Sequence, residues 1–383
     1  MTLADRASRR TILAALAAGA GAFALRSVDA LSQTPASSSP ASPAPSPAAP
    51  TTSPREPGLN VPAEVRAIEI TARPIASFSR TGSGTRFGRL EYRGGFVMSS
   101  PAKGFGGLSG IVVEPDGRRV MMVSDEGAWF TGEIVYEAQR PTGIRNARMG
   151  PIRGVGGRQL DRKRDLDAES LALIDGNLTR GTVLIGFERN QRIGRFPILD
   201  GVLQAPAGYL KMPPEARRMR TNKGFEAATI LQGGPHKGAA IAFSERFPDN
   251  PAQHTGWLWV KGEPQRLGFA DIGEFEVTDV ASLQDGTLLV LERRFRWTEG
   301  VKMRIRRFDP TEVRPGAVMQ SDLLIEADMA FEIDNMESLA VHRGLRGEAI
   351  LTLVSDDNFN SFLQRTILLQ FALVDDGTAA ARR

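Results

Sequence analysis

Apolar residues in this chain come in short runs, not in long amphipathic stretches. The runs VMMV (120–123), TVLIGF (182–187), TLLVLE (287–292) and AILTLV (349–354) are β-rich, and turn formers separate them. Asp116-Gly117 and Asp285-Gly286 predict tight hairpin turns. Helix is confined to two short candidates, 158–168 and the charged 215–223.

The runs repeat. Five segments share one pattern: a polar residue, a short apolar strand, a turn, and a second apolar strand ending in acids. They are Gly107-LSGIVVEPDGRRVMMVSDEG, Asp167-AESLALIDGNLTRGTVLIGFER, Gly224-FEAATILQGGPHKGAAIAFSER, Thr278-DVASLQDGTLLVLER and Asn335-MESLAVHRGLRGEAILTLVSDDN. The leading polar positions are read as Ser109, Glu169, Glu226, Asp279 and Glu337, spaced 60, 57, 53 and 58 residues apart. That period is too long for one hairpin and fits a four-stranded sheet with its loops. Such sheets repeated around an axis make a β-propeller. The expected fold is therefore all-β, a propeller of five recognisable four-stranded blades, with segments such as 192–199 and 302–308 as outer strands. A sixth, degenerate blade within 66–105 is the alternative count. The last blade has only Thr366–Val374 after its hairpin, so pairing of N- and C-terminal strands, with Ala67–Phe78 as donor, is expected to close the ring.

Both ends of the chain read differently. Arg6, Arg9 and Arg10, an apolar stretch from Ile12 to Leu25, and the small-x-small site Val28-Asp29-Ala30 make residues 1–30 an export signal. The arginine pair before Thr11-Ile12-Leu13 points to the twin-arginine route, and an ordinary secretory signal is the alternative. Fourteen apolar residues are too few to span a bilayer, which needs about 20, so no membrane anchor is expected after cleavage. Residues 31–60 are rich in Pro, Ala and Ser and read as an extended linker. The folded domain is expected over 61–376, with 377–383 a disordered tail. The destination implied is the periplasm or the exterior.

Composition narrows the chemistry. The net charge is +4, of which the signal segment supplies about half, and this does not suit a nucleic-acid binder. Cysteine is absent, which excludes disulfides and a cysteine nucleophile. No Gly-x-Ser-x-Gly elbow and no phosphate-cradling glycine loop is present. His236 and His342 fall near predicted turns at the far end from the acids and read as surface residues; with His254 they are the only histidines.

The carboxylates are the candidate chemistry. In a hairpin the start of the first strand lies beside the end of the second. Glu169/Glu188, Glu226/Glu245 and Glu337/Asp356 are each 19 residues apart, while Asp279/Glu292 are 13 apart. Blade one keeps the second position in Asp125. Ring symmetry gathers these pairs on one face, where they repel unless positive charge sits among them. Arginine is one source, since Glu188-Arg189, Glu245-Arg246 and Glu292-Arg293 recur. A hard cation is another, and calcium suits clustered carboxylates. The candidate metal ligands are Glu169, Glu226, Asp279, Glu337, Asp125 and Asp356, with Glu169 and Glu226 also the catalytic candidates. Arg164, Arg189, Arg220, Lys223, Arg246 and Arg293 are the candidate binders of an anionic substrate. The competing use of the same acids is to tie one blade to the next.

The segments GLSGIVVEPDG…VSDEG, DAESLAL…FERNQRI, KGFEAATI…AFSER and NMESLAV…LVSDDN resemble the bacterial phytase-like domain, the esterase-like activity of phytase group, over about 70–374. The resemblance implies a propeller hydrolase whose acidic channel holds calcium, which binds phosphate and activates water. The expected function is an exported, monomeric hydrolase of phosphate esters or related esters, acting on a small anionic substrate. The rival is a non-catalytic propeller that binds an anionic ligand, a glycan or a partner protein on the same face.

Overall fold

The computed structural model describes residues 62–219, 223–248, 250–360 and 362–374. The export signal, the linker and the tail lie outside them, as does Arg220.

Five sheets stand around an axis, each running outward from an inner strand, and all are antiparallel except where Val318–Met319 runs parallel to the outer edge of blade three. The inner strands are Leu108–Val113, Ala168–Gly176, Phe225–Ile230, Glu276–Ser282 and Met336–Arg343, for blades one to five. Each packs on the next, and the fifth packs on the first, so the ring holds five blades. Five apolar clusters, one at every junction between neighbouring blades, make the core. Trp129, Leu171 and Val183 meet between blades one and two, and Phe243, Val280 and Phe308 meet between three and four. Because each sheet is covered on both faces, its strands need no polar side. All six residues of Phe225–Ile230 are buried, which is why the sequence shows continuous apolar runs instead of alternation.

Blade five is built from both ends of the domain. Its inner strands, Met336–Arg343, Ala349–Ser355 and Thr366–Leu373, come from the C-terminal side. Leu90–Ser99 pairs with the last of them, from Met98 opposite Thr366 to Leu90 opposite Leu373, and Thr71–Ile75 lies outside it. The ring is closed by terminal pairing, although the strand beside Thr366–Leu373 is Leu90–Ser99 and not the 67–78 segment. Arg66–Ala67 adds to the outer edge of blade one. Residues 66–105 are therefore used in closure and do not form a sixth blade. Among the described residues, helix is limited to one α-turn, Lys163–Leu166, and to 3-10 turns such as Pro214–Arg218. No helix among the described residues is long and apolar enough to cross a membrane.

Every inner hairpin carries a bulge at the same place, which leaves one residue of the inner strand there without a partner across the hairpin. These residues are Ser109, Glu169, Glu226, Thr278 and Glu337; blade two has a second bulge, at Ile174. Bulges re-aim side chains near sites. In blade four the repeat is thus one residue out from the sequence reading: Thr278, not Asp279, matches Glu169. The two hydroxyls among the five share one job. Ser109 Oγ donates to the Ala168 carbonyl at 2.6 Å and Thr278 Oγ1 to the Met336 carbonyl at 3.2 Å, each across to the next blade. Ser109→Ala is expected to cost about 1–2 kcal/mol in urea unfolding, because it leaves a buried carbonyl without its donor.

Candidate functional site

A second set of equivalent positions stands beside the bulges. The backbone N–H groups of Asp125, Glu188, Glu245 and Asp356 donate to the carbonyls of Gly107, Asp167, Gly224 and Asn335 at 3.0, 3.0, 3.1 and 2.9 Å. In blade four the matching pair is Arg293 opposite Glu276. The funnel end of the ring therefore presents carboxylates from blades one, two, three and five, with a hydroxyl and a guanidinium from blade four. All of these acids are nine-tenths or more buried.

Blades two and three bring their acids closest. Asp167, Glu169 and Glu188 place one oxygen each within 4.8 Å of one another, and so do Glu188, Glu226 and Glu245. Glu188 belongs to both groups. Burial pushes its carboxyl pKa far up, and the negative charges of Glu226, Glu169 and Asp167 push it further. Four cations border the pair of groups. Lys163 lies 3.2 Å from Asp125 and from Asp167, and Arg189 Nε lies 2.8 Å from Asp167. Lys223 lies 3.5 Å from Glu245 and 2.8 Å from Glu276, which Arg246 Nε also meets at 3.2 Å. Positive charge thus stands against Asp125, Asp167, Glu245 and Glu276.

The other nominated residues are spread around the ring. Arg293 is buried, with Nε 3.5 Å from Glu337. Asp356 caps its own turn by accepting the Asn358 N–H at 2.7 Å. Asp279 is turned into the blade junction: one oxygen accepts the Val280 N–H at 2.8 Å and the other the Leu339 N–H at 2.7 Å. It ties blade four to blade five and lies outside both acid groups. Arg164 points outward, its side chain 66% exposed beside Asp165.

Glu292, paired with Asp279 in the sequence reading, serves a different centre. It accepts two hydrogen bonds from Arg304 (2.8 and 3.0 Å) and two from Arg306 (2.6 and 2.7 Å), with His254 Nε2 at 3.2 Å. Arg306 also donates twice to the Ala270 carbonyl of blade three at 3.1 Å and lies over the Phe269 ring. This is a buried clasp between blades three and four. His342 is not a surface residue either: it is 7% exposed on the inner strand of blade five, at the end away from the acids.

Asp167, Glu188 and Glu245 were not nominated as ligands. Glu188 and Glu245 carried the visible signal, since both end a second strand in the Glu-Arg repeat. Asp167 stands two residues before a bulge, at a place where the other blades have Gly107, Gly224, Glu276 and Asn335, and nothing in the repeat marks it.

A family model described as phytase-like, esterase-like activity of phytase, matches residues 103–359, two thirds of the chain. The chain belongs to the phytase-like family. The matched region spans the inner hairpins of all five blades and stops short of the strand that closes the ring. A hydrolase-like function comes with that membership. No curated protein matches the chain. In this phytase-like propeller, the two acid groups of blades two and three can hold a metal ion.

Proposed function

We propose that the protein is an exported, monomeric, calcium-dependent hydrolase of phosphate esters or related esters, working at the acid funnel. The observation that carries this reading is the pair of acid groups sharing Glu188. The donor set fits calcium: all ligands are hard carboxylate oxygens, in two groups of three that share Glu188 across two blades. A cation there also relieves the repulsion that adds to burial in driving Glu188 upward. Asp167, Glu169, Glu188, Glu226 and Glu245 would hold it, with Asp125, Glu337 and Asp356 further round the ring. Asp279 is left out, because backbone N–H groups already occupy both its oxygens.

When bound, calcium supplies a Lewis acid that fixes a substrate oxygen and makes a bound water more acidic. Glu169 and Glu226 are the bases placed to take that water's proton, because each stands at the bulge of its inner strand and belongs to one of the two acid groups. Arg293, Lys223 and Arg246 set positive charge at the funnel against a substrate anion. Arg9-Arg10 and the segment after them support export by the twin-arginine route to the periplasm or beyond.

The test is hydrolysis of inositol phosphates, p-nitrophenyl phosphate and p-nitrophenyl esters, with and without calcium. Wild-type protein should turn over at least one of them only with calcium. Glu169→Gln and Glu226→Gln should each lower kcat by about a hundredfold or more. Absence of turnover on the whole panel, or variants as active as wild type, would overturn the catalytic reading and leave a binding propeller.

A further inference from the structure

A second cavity lies at the opposite end of the ring from the acid funnel, between blades one and five. Its volume is about 630 Å³, within the range of small-molecule sites. The Glu114–Arg118 turn of blade one and the His342–Glu348 turn of blade five form its rim.

Its polar groups are unevenly satisfied. His342 is 93% buried, and its Nδ1 has no hydrogen-bond partner. Burial holds the imidazole pKa at about 4, so the ring is neutral at physiological pH and that nitrogen needs a partner, not a counter-ion. The ring is held in place by its neighbour. Gly117 has φ +76, and a Cβ there would come within 2.7 Å of the imidazole. Arg93 Nε is also buried without a partner, although its terminal nitrogens reach Gln139 at 2.8 Å and Glu348 at 3.3 Å. Tyr136 is satisfied, donating to the Gly117 carbonyl and accepting from Gln370, both at 3.0 Å.

The charges around the cavity are unevenly matched as well. Its acids are engaged. Glu114 accepts the Leu178 N–H at 2.7 Å, Asp116 the Arg118 N–H at 2.9 Å, and Glu133 pairs with Arg145 at 3.0 Å. Glu348 accepts from Arg93 and from the Arg346 N–H at 2.9 Å. Arg118 and Arg343, both exposed on the rim, meet no side-chain partner among the described residues. Two guanidiniums without a side-chain partner therefore stand on the rim of a pocket that Arg93 and His342 also line, each of these two with one buried nitrogen that lacks a hydrogen-bond partner. Ile134 and Ile350 give it an apolar wall, suited to carbon as well as charge.

We propose that this cavity binds a small organic anion, a carboxylate or a phosphate ester, separately from the acid funnel. The anionic group sits between Arg118 and Arg343, and the body of the molecule reaches Arg93 and His342. Arginine recognises both anions by paired N–H donors.

The test follows the imidazole directly. With three histidines in the chain, the His342 side-chain NMR signals can be assigned by their loss in His342→Gln. Citrate and inorganic phosphate are titrated in turn into mature protein in calcium-free Tris buffer. One or both should move the His342 signals in a saturable way, and the better of the two identifies the anionic group. The double variant Arg118→Ala/Arg343→Ala, at exposed positions that do not threaten folding, should weaken that binding by at least about tenfold. If the His342 signals stay still with both anions at tens of millimolar, or the double variant binds as tightly as wild type, the site does not exist as described.

Discussion

Glu292→Ala is expected to lower the stability of the domain by about 3–5 kcal/mol, although the residue is absent from the acid groups of the funnel. The change removes the one carboxylate that four guanidinium hydrogen bonds share, and leaves Arg304 and Arg306 buried with uncompensated charge. Arg306 is 3% exposed and Arg304 5%, so water cannot take the place of the lost partner. Urea unfolding at neutral pH measures the loss, and Glu292→Gln, which keeps the shape and one acceptor, should lose less. The same residue makes the fold acid-sensitive. Burial raises its pKa, but His254 beside it and the hydrogen bonds from Arg304 and Arg306 outweigh that and hold it at about 2, below the ordinary 4.5. Between those values the folded protein binds fewer protons here than the unfolded chain. The clasp's contribution is therefore complete above about pH 4.5 and is lost as pH falls through the window. The urea midpoint of Glu292→Ala should be flatter over this range. A wild-type-like midpoint in the alanine variant would show that the clasp contributes nothing.

Glu188 is expected to act in the opposite direction. Its folded pKa lies above the ordinary 4.5 because of burial and of Glu226 and Glu169 beside it. The folded protein keeps a proton there that the unfolded chain releases, so stability falls as pH rises above about 4.5. The slope for one proton is about 1.4 kcal/mol per pH unit. Calcium-free protein should thus lose resistance to urea from pH 5 toward pH 8. Glu188→Gln should flatten that slope, since a neutral amide has no proton to lose. Millimolar calcium should flatten it in wild type and have little effect on the variant. A calcium-free protein equally stable across the range would contradict the crowding of charge at Glu188. A profile unchanged by calcium would sink the metal reading and leave the crowding intact.

Much of the architecture was legible because propeller blades repeat. The five inner hairpins and the use of N-terminal residues to complete the last blade follow from the spacing of Ser109, Glu169, Glu226 and Glu337. Blade four was misaligned for a physical reason. Thr278 and Asp279 are adjacent, and an acid looks like the better match to Glu169 and Glu226. The position is defined instead by a bulge, a property of backbone pairing that no residue type spells out. The same shift hid that Arg293, named only as a candidate anion binder, stands where other blades carry an acid, and gave Glu292 a funnel role when it faces the third strand. Its partners, Arg304 and Arg306, alternate along that strand, and only the sheet shows that both reach one carboxylate. His342 was misread because the hairpin extends one residue further than its turn formers suggest, which buries the imidazole.

The closing of blade five has a consequence for how the protein comes into being. Met98 pairs with Thr366, so the partner strand waits while nearly all the rest of the domain is made. At about 5–20 residues per second, a nascent chain spends tens of seconds with the inward edge of Leu90–Ser99 unmatched and its apolar face toward solvent. Blades one to four can assemble in order from neighbouring hairpins, but the last junction is a contact between distant parts of the chain, the slow kind in folding. The vulnerable species is an open, C-shaped arc with two exposed edges. A chaperone or quality-control protease that acts on this protein therefore meets it chiefly at that seam, before Thr366–Leu373 arrives.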